Sequence, residues 1–191
     1  MTKLNYADGD FIIADGKLVD YRGKSENVVI PDCVKIVGPH SLSYNVKKLT
    51  VPASVEKFEP ASFLDSIRLE EIEVAEGNPY YYSRDNCLIE RATKKIIRGT
   101  RLSVIPQDGS VTAIAQYAFK DVDCTRLIIR SCITIIESCA FGGNDDVTLA
   151  IEAEQRPQGW ADDWDSNEGE IWDEVWWESG PGLLLEWGTK F

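Results

Sequence analysis

The fold class this sequence predicts is a repeat solenoid with a short-stranded parallel sheet. Three observations predict it: a phrase that recurs, the period of its recurrence, and two backbone rhythms inside each copy. The phrase reads VIPDCVKIVGPHSL at 29–42, TVPASVEKFEPASF at 50–63 and IIRSCITIIESCAF at 128–141. A fourth copy carries an insertion, with VTAIAQYAF at 111–119 following LSVIPQDGS. Leu42 and Phe63 are 21 residues apart, and Phe119 and Phe141 are 22 apart. A period of this size marks coils that bury their apolar side only when stacked on a neighbour.

Each copy opens with an alternating apolar pair, Val28 and Ile30 or Leu49 and Val51, which reads as a short strand. Pro31 and Pro52 lack an amide hydrogen and fix φ, so the strand stops there and Asp32 or Ala53 turns the chain. Apolar positions follow, namely Val34 and Val37, Val55 and Phe58, Ile133 and Ile136. A small residue plus an aromatic then closes the copy at Ser62-Phe63, Ala118-Phe119 and Ala140-Phe141, with the ring expected to plug the coil. About six coils with strands roughly 4.8 Å apart give a sheet on the order of 25–30 Å long. Its outward positions fall at Lys48, Thr50, Glu71, Glu73, Arg126 and Thr148.

In these residues the chain resembles the BspA-type leucine-rich repeats of bacterial and protist proteins, whose units run strand, Ile-Pro turn, apolar step, Ala-Phe. The resemblance covers roughly residues 10–167. FIIADGKLVDYRG at 11–23 is similar to the family's opening hairpin, NPYYYSRDNCLIERATKKIIR at 78–98 to its inserted hairpin, and AEQRPQGWADDWDSN at 153–167 to its closing segment. It implies a leucine-rich-repeat right-handed superhelix with an N-terminal hairpin cap and a Trp-rich C-terminal β cap. Two departures stand out: Arg130 occupies the usual Pro position, and 168–191 runs beyond the pattern.

The expected organisation is one leucine-rich-repeat domain over 1–191. Within it, 1–25 is the N-terminal cap hairpin, 26–152 holds the repeats with the insertion at about 78–98, and 153–191 is an acidic Trp-rich C-terminal cap. An apolar content of 43% suffices for a narrow solenoid core. The first ten residues hold no apolar run, and no 18-residue apolar stretch occurs. The chain as given therefore reads as cytoplasmic, and as secreted or cell-surface if a signal was removed.

Five cysteines, Cys33, Cys87, Cys124, Cys132 and Cys139, include no C-x-x-C spacing, and repeat position predicts buried thiols. His40, the only histidine, shares its column with Ala61, Tyr117 and Cys139, which predicts a repeat-surface residue and not a general base. No G-x-S-x-G, P-loop, G-x-G-x-x-G or H-E-x-x-H arrangement occurs, so the expectation is no catalytic residue, no cofactor and no metal. A carboxylate-pair glycosidase is the enzymatic alternative, because its acids are defined only by their separation in space.

The C-terminus is the second unusual region. All six tryptophans and nine of the 32 acidic residues fall in the last 32 residues, which carry eight of the 12 net negative charges. Capping of the last coil is the expected main role, with Trp160 and Trp164 inward and a terminal hairpin over 171–187. Asp163, Asp165, Asn167 and Glu174 sit at EF-hand-like spacing, but Glu168 stands where the loop requires Gly.

The functional expectation is a noncatalytic module that binds a protein partner. The candidate contacts are Lys48, Thr50, Glu71, Glu73 and Arg126 on the sheet face, and Trp172, Asp173, Glu174, Trp176 and Trp177 on the acidic aromatic surface. Negative charge favours a basic partner, excludes a basic footprint for nucleic acid, and nothing predicts a membrane span. The alternatives are an acidic inhibitor blocking the basic groove of a nucleic-acid enzyme, and a cell-surface adhesin or carbohydrate binder using exposed indoles.

Overall fold

Each phrase closes one coil, in the sequence of steps its residues predict. The computed structural model describes residues 4–7, 9–144, 147–166 and 183–191. The strand residues Val28, Ile30, Leu49 and Val51 are buried, and a turn then leaves the sheet. That turn is held by an amide-to-carbonyl bond three residues back, from Val34 to Pro31 at 2.9 Å and from Val55 to Pro52 at 3.4 Å. Arg130 supports the same turn, with Ile133 bonding to its carbonyl at 3.0 Å, so the departure from Pro leaves the geometry intact.

Two-residue strands follow, and then comes a feature the sequence pattern did not reveal. His40, Ala61, Tyr117 and Cys139 all have positive φ, between 51° and 65°. The left-handed region costs a residue with a Cβ about 1 kcal/mol or more, so a repeated case needs support from its surroundings. Support comes from the next coil: the His40 amide donates to Ala61 O at 3.0 Å and the Cys139 amide to Asp163 O at 2.9 Å. The reversal places Leu42, Phe63, Phe119 and Phe141 inside, where Phe119 and Phe141 stack at 5.3 Å.

The strands divide into two halves built to one plan. The first half comprises β1 (Leu4–Ala7), β2 (Phe11–Ala14), β3 (Lys17–Tyr21), β4 (Asn27–Val29), β5 (Ile36–Val37), β6 (Lys48–Val51), β7 (Lys57–Phe58) and β8 (Glu71–Val74). The second comprises β9 (Tyr81–Arg84), β10 (Cys87–Glu90), β11 (Lys95–Arg98), β12 (Ala113–Ile114), β13 (Arg126–Ile129), β14 (Ile135–Ile136), β15 (Thr148–Ile151) and β16 (Leu184–Glu186). In each half an antiparallel three-strand meander feeds a parallel ladder, giving the orders β1-β2-β3-β5-β7 and β9-β10-β11-β12-β14. A separate parallel ladder forms the other face, β4-β6-β8 in the first half and β13-β15-β16 in the second. Both meanders carry a register shift in the middle strand, at Ile12/Ile13 and at Leu88/Ile89. Both also carry a matching long-range ion pair: Lys17 reaches Glu59 at 2.5 Å, and Lys95 reaches Glu137, each partner 42 residues further on.

The expected continuous sheet is therefore two ladders. The coil between them, Leu102 to Pro106, keeps the alternation, with Ser103 and Ile105 buried and Leu102 and Val104 out, yet forms no strand. The tip of the hairpin lies beside it: Val104 N donates to Asp85 O at 3.0 Å, and Asn86 Nδ2 donates to Leu102 O at 3.4 Å. On the other side Gln107 Nε2 bridges Ile105 O at 2.7 Å and Ile128 O at 3.3 Å, substituting for ladder bonds.

Two apolar cores match the two halves. Strand β10 is the wall between them, because Leu88 packs in the first core while Cys87 and Ile89 pack in the second. A strand buried on both faces reads as an unbroken apolar run. Arg98 crosses the seam, fully buried, donating to Lys120 O at 2.9 Å and Tyr117 O at 3.2 Å in one half and to Ser66 O at 3.4 Å in the other. Burial lowers its pKa to about 10, and Asp121 opposes that shift, so it stays a cation at neutral pH. Such a cation needs carbonyls around it.

Buried thiols occur at Cys87, Cys124 and Cys139. Burial pushes Cys87 up to about 12 and Cys124 up to about 11, which leaves both protonated at neutral pH. Cys33 is exposed and Cys132 half-buried, against expectation. Their shared column is the third residue of the turn that leaves the sheet, where the side chain faces outward while the next residue, Val34 or Ile133, turns in.

The closing segment continues the coil. Trp160 forms a parallel bridge with Ile136 and its indole donates to Ile133 O at 3.2 Å, while Trp164 meets Phe141 edge-on at 5.6 Å. Trp160 and Trp164 are both buried, and Trp187 lies over them at 5.8 and 6.4 Å. Strand β16 pairs in parallel with β15, and the expected other arm of the terminal hairpin lies outside the described residues. No helix of the described residues is long and apolar enough to cross a membrane.

Candidate functional site

Strand alternation places the candidate site on the outer face of the two parallel ladders. In β6 and β8, Leu49 and Ile72 point to the core, so Lys48, Thr50, Glu71 and Glu73 point away from it. Register brings them together: Lys48 pairs with Glu71 and Thr50 with Glu73 across neighbouring strands. The Lys48 ammonium contacts Glu73 at 2.8 Å and Glu71 at 3.2 Å, and hydrogen bonds to these two carboxylates, Glu73 foremost, raise its pKa. Arg126 and Thr148 are adjacent in the second ladder, and Arg126 reaches Glu186 on β16 at 2.7 Å.

The face is thus less charged in effect than its composition suggests. Its cations are spent on its own carboxylates, and exposed pairs of this kind add little stability. What they leave open is apolar: Val29 is 63% exposed, Leu102 55%, Val104 59% and Leu184 59%. Leu102 and Val104 stand between the two ladders, beside a cleft of about 290 Å³ lined by Lys48, Glu70, Glu71, Asn86 and Leu102. These two residues were absent from the sequence-derived set. The signal for them was present, since they precede Ile105-Pro106 with the same alternation as Lys48 and Thr50 before Val51-Pro52.

Trp172, Asp173, Glu174, Trp176 and Trp177 lie outside the described residues, as do Asn167 and Glu174 of the EF-hand-like spacing. Asp163 accepts from the hydroxyl of Ser138 and, through its carbonyl, from the Cys139 amide of the preceding coil. Among the described residues no cluster of three or more metal-ligating side chains occurs. His40 is exposed at a left-handed turn, 3.1 Å from Asp65. At the edge of the seam Arg84 holds Asp108 at 2.8 Å, and hydrogen bonds from Ser110 and then Arg84 keep that carboxyl well below the usual carboxylate range.

Solved structures similar in fold include a leucine-rich repeat protein from Eubacterium ventriosum, at 18% identity and a TM-score of 0.52, covering 67% of this chain and 42% of that one. The pneumococcal vaccine antigen PcpA matches at 21% identity and a TM-score of 0.53, covering 62% of this chain and 31% of that one. A leucine-rich cell surface protein from Faecalibacterium prausnitzii matches at 18% and 0.53, covering 70% of this chain and 43% of that one. The chain thus spans less than half the length of each structure it matches. No curated protein matches it. The model of the BspA-type leucine-rich repeat region matches residues 20–148 in six copies, over the same coils whose turns, plugs and ladders are described above, and the chain belongs to that family.

Proposed function

We propose that this chain is a noncatalytic recognition module that binds a protein partner across the outer face of its ladders, centred on the cleft between β8 and the coil at 102–104. One observation carries the reading: Leu102 and Val104 stay more than half exposed in the middle of a rigid face whose neighbouring Lys48 is already neutralised. An apolar centre ringed by polar side chains is the arrangement by which protein interfaces gain affinity. The family supports a repeat platform without chemistry of its own.

The test combines position and loss. A photo-crosslinker at Thr50 should capture a protein that one at Lys94, beside β11 on the other ladder, does not. The double variant Leu102→Asp, Val104→Asp should reduce that capture at least tenfold while retaining the unfolding transition. Equal crosslinking from both positions would sink the reading. A second reading, an adhesin displayed at a cell surface, is favoured by the surface protein among the similar folds. It predicts that antibody against the folded chain labels intact cells.

A further inference from the structure

On the side of the molecule away from that face, the seam leaves one rung of the other ladder unfilled. In the second half, the rung after β14 is supplied by the chain itself: Trp160 bridges Ile136, Ala161 N donates to Ile136 O at 2.8 Å, and Cys139 N donates to Asp163 O at 2.9 Å. The corresponding place in the first half follows β7. There the meander covers only the inner part, through Asn78 Nδ2 on Val55 O at 3.0 Å and the Tyr81 hydroxyl under Phe58 N at 3.3 Å. In a parallel ladder alternate residues turn both amide and carbonyl to the next strand. Phe58 is such a residue, since β5 is served by Lys57 and Glu59, and no described segment adds a strand beyond it.

What remains is a groove of about 220 Å³ between the exit of β7 and the start of the second half. Its apolar lining comes from Phe63, Leu64, Ile97, Ala115 and Tyr117, and its charges are Glu59, Glu90, Glu137 and Lys95. Glu59 is paired with Lys17 and Glu137 with Lys95. Glu90 accepts only the Thr93 hydroxyl and has no ion-pair partner among the described residues. The volume lies below the roughly 300–1,000 Å³ of sites for drug-sized molecules, and suits one or two side chains of a longer ligand.

We infer that this groove docks a short extended cationic peptide, laid along the vacant rung with an arginine side chain against Glu90. Backbone pairing through the Phe58 carbonyl supplies the alignment, the amide being held by the Tyr81 hydroxyl, as in strand addition generally. The arginine stem covers Leu64 and Ile97 and its guanidinium has both a carboxylate and the Tyr117 ring within the same lining, a combination that lysine matches poorly. This site is separate from the ladder face and does not depend on the function proposed for that face.

The probe is a capped Arg-Val-Arg-Val peptide titrated into isotope-labelled full chain, followed by amide chemical shifts. Saturable shifts at 59–64, 95–97 and 115–117 are expected, with affinity reduced at least fivefold by Glu90→Gln, which keeps the shape and the Thr93 bond. Ala115→Phe, which fills the groove, should abolish the shifts; if that variant fails to fold, Glu90→Gln still decides. Leu102→Asp, Val104→Asp should leave the titration unchanged. Shifts spread over the acidic surface, or an affinity indifferent to Glu90→Gln, would overturn the inference.

Discussion

The two halves follow the same plan yet finish differently. Each begins with a three-strand meander, starts one ladder from its last strand, builds a second ladder on the other face, and ties two rungs with a lysine-to-glutamate pair. The second half ends in aromatic rings, Phe119 on Phe141, then Trp164, Trp160 and Trp187. The first ends against the meander of the second, with Phe63 touching one other ring, Phe58, at 5.1 Å. A solenoid end needs a cover, and here two different covers serve one design. The cover over the first half is thinner, which is why the seam holds a groove on one side, a cleft on the other and a buried arginine between.

The largest expected effect comes from cutting that connection. Arg98→Ala takes the donor from Lys120 O and a second donor from Tyr117 O and Ser66 O, which keep backbone amides, and empties a fully buried site, so it should cost about 3–5 kcal/mol. If the halves are separate units joined at the seam, urea unfolding followed by tryptophan fluorescence and by circular dichroism will cease to coincide, because all described indoles lie in the second half. Coincident curves would show that the cores remain coupled through β10 alone.

Next in size are the plugs. Phe141→Ala should cost about 4 kcal/mol and perturb the indole signal through Trp164, while Phe63→Ala, with one ring partner and slight exposure, should cost about 3 kcal/mol and leave that signal unchanged. Chemical denaturation of the two variants checks the ranking.

The smallest effect is electrostatic. A carboxyl whose folded pKa is depressed stabilises fully above its unfolded pKa and loses that contribution as pH falls through the folded value. Asp108 is such a group, held down by Ser110 and Arg84, and Glu152 is another, held down chiefly by Ser131. Asp108→Asn should therefore lower stability slightly above about pH 4 and flatten the decline between about pH 4 and pH 2, so that variant and parent converge in acid, as urea midpoints from neutral pH down through that range will report.

Much of the fold was legible because the rules that made it are local. Alternation before the proline separates Leu49 from Lys48 and Thr50 whatever the rest of the chain does, and the same reading extends to Leu102 and Val104. Cys33 shows the limit: a column that holds Cys33, Ser54 and Cys132 looks interior in sequence, but the turn bond behind it turns the Cys33 side chain outward. The charged face was read as open ligands, whereas register spends Lys48 on Glu71 and Glu73.

By itself, then, the sequence determined the coil: its period, its turns, its plugs and which side chains face out, since each depends on bonds and sterics within about twenty residues. Tertiary structure alone decided where the stack divides, why Arg98 is buried, and that the column of His40, Ala61, Tyr117 and Cys139 holds left-handed turns. Those outcomes depend on carbonyls supplied by other coils, and no local pattern encodes the distance to a neighbour that arrives only when the chain has folded.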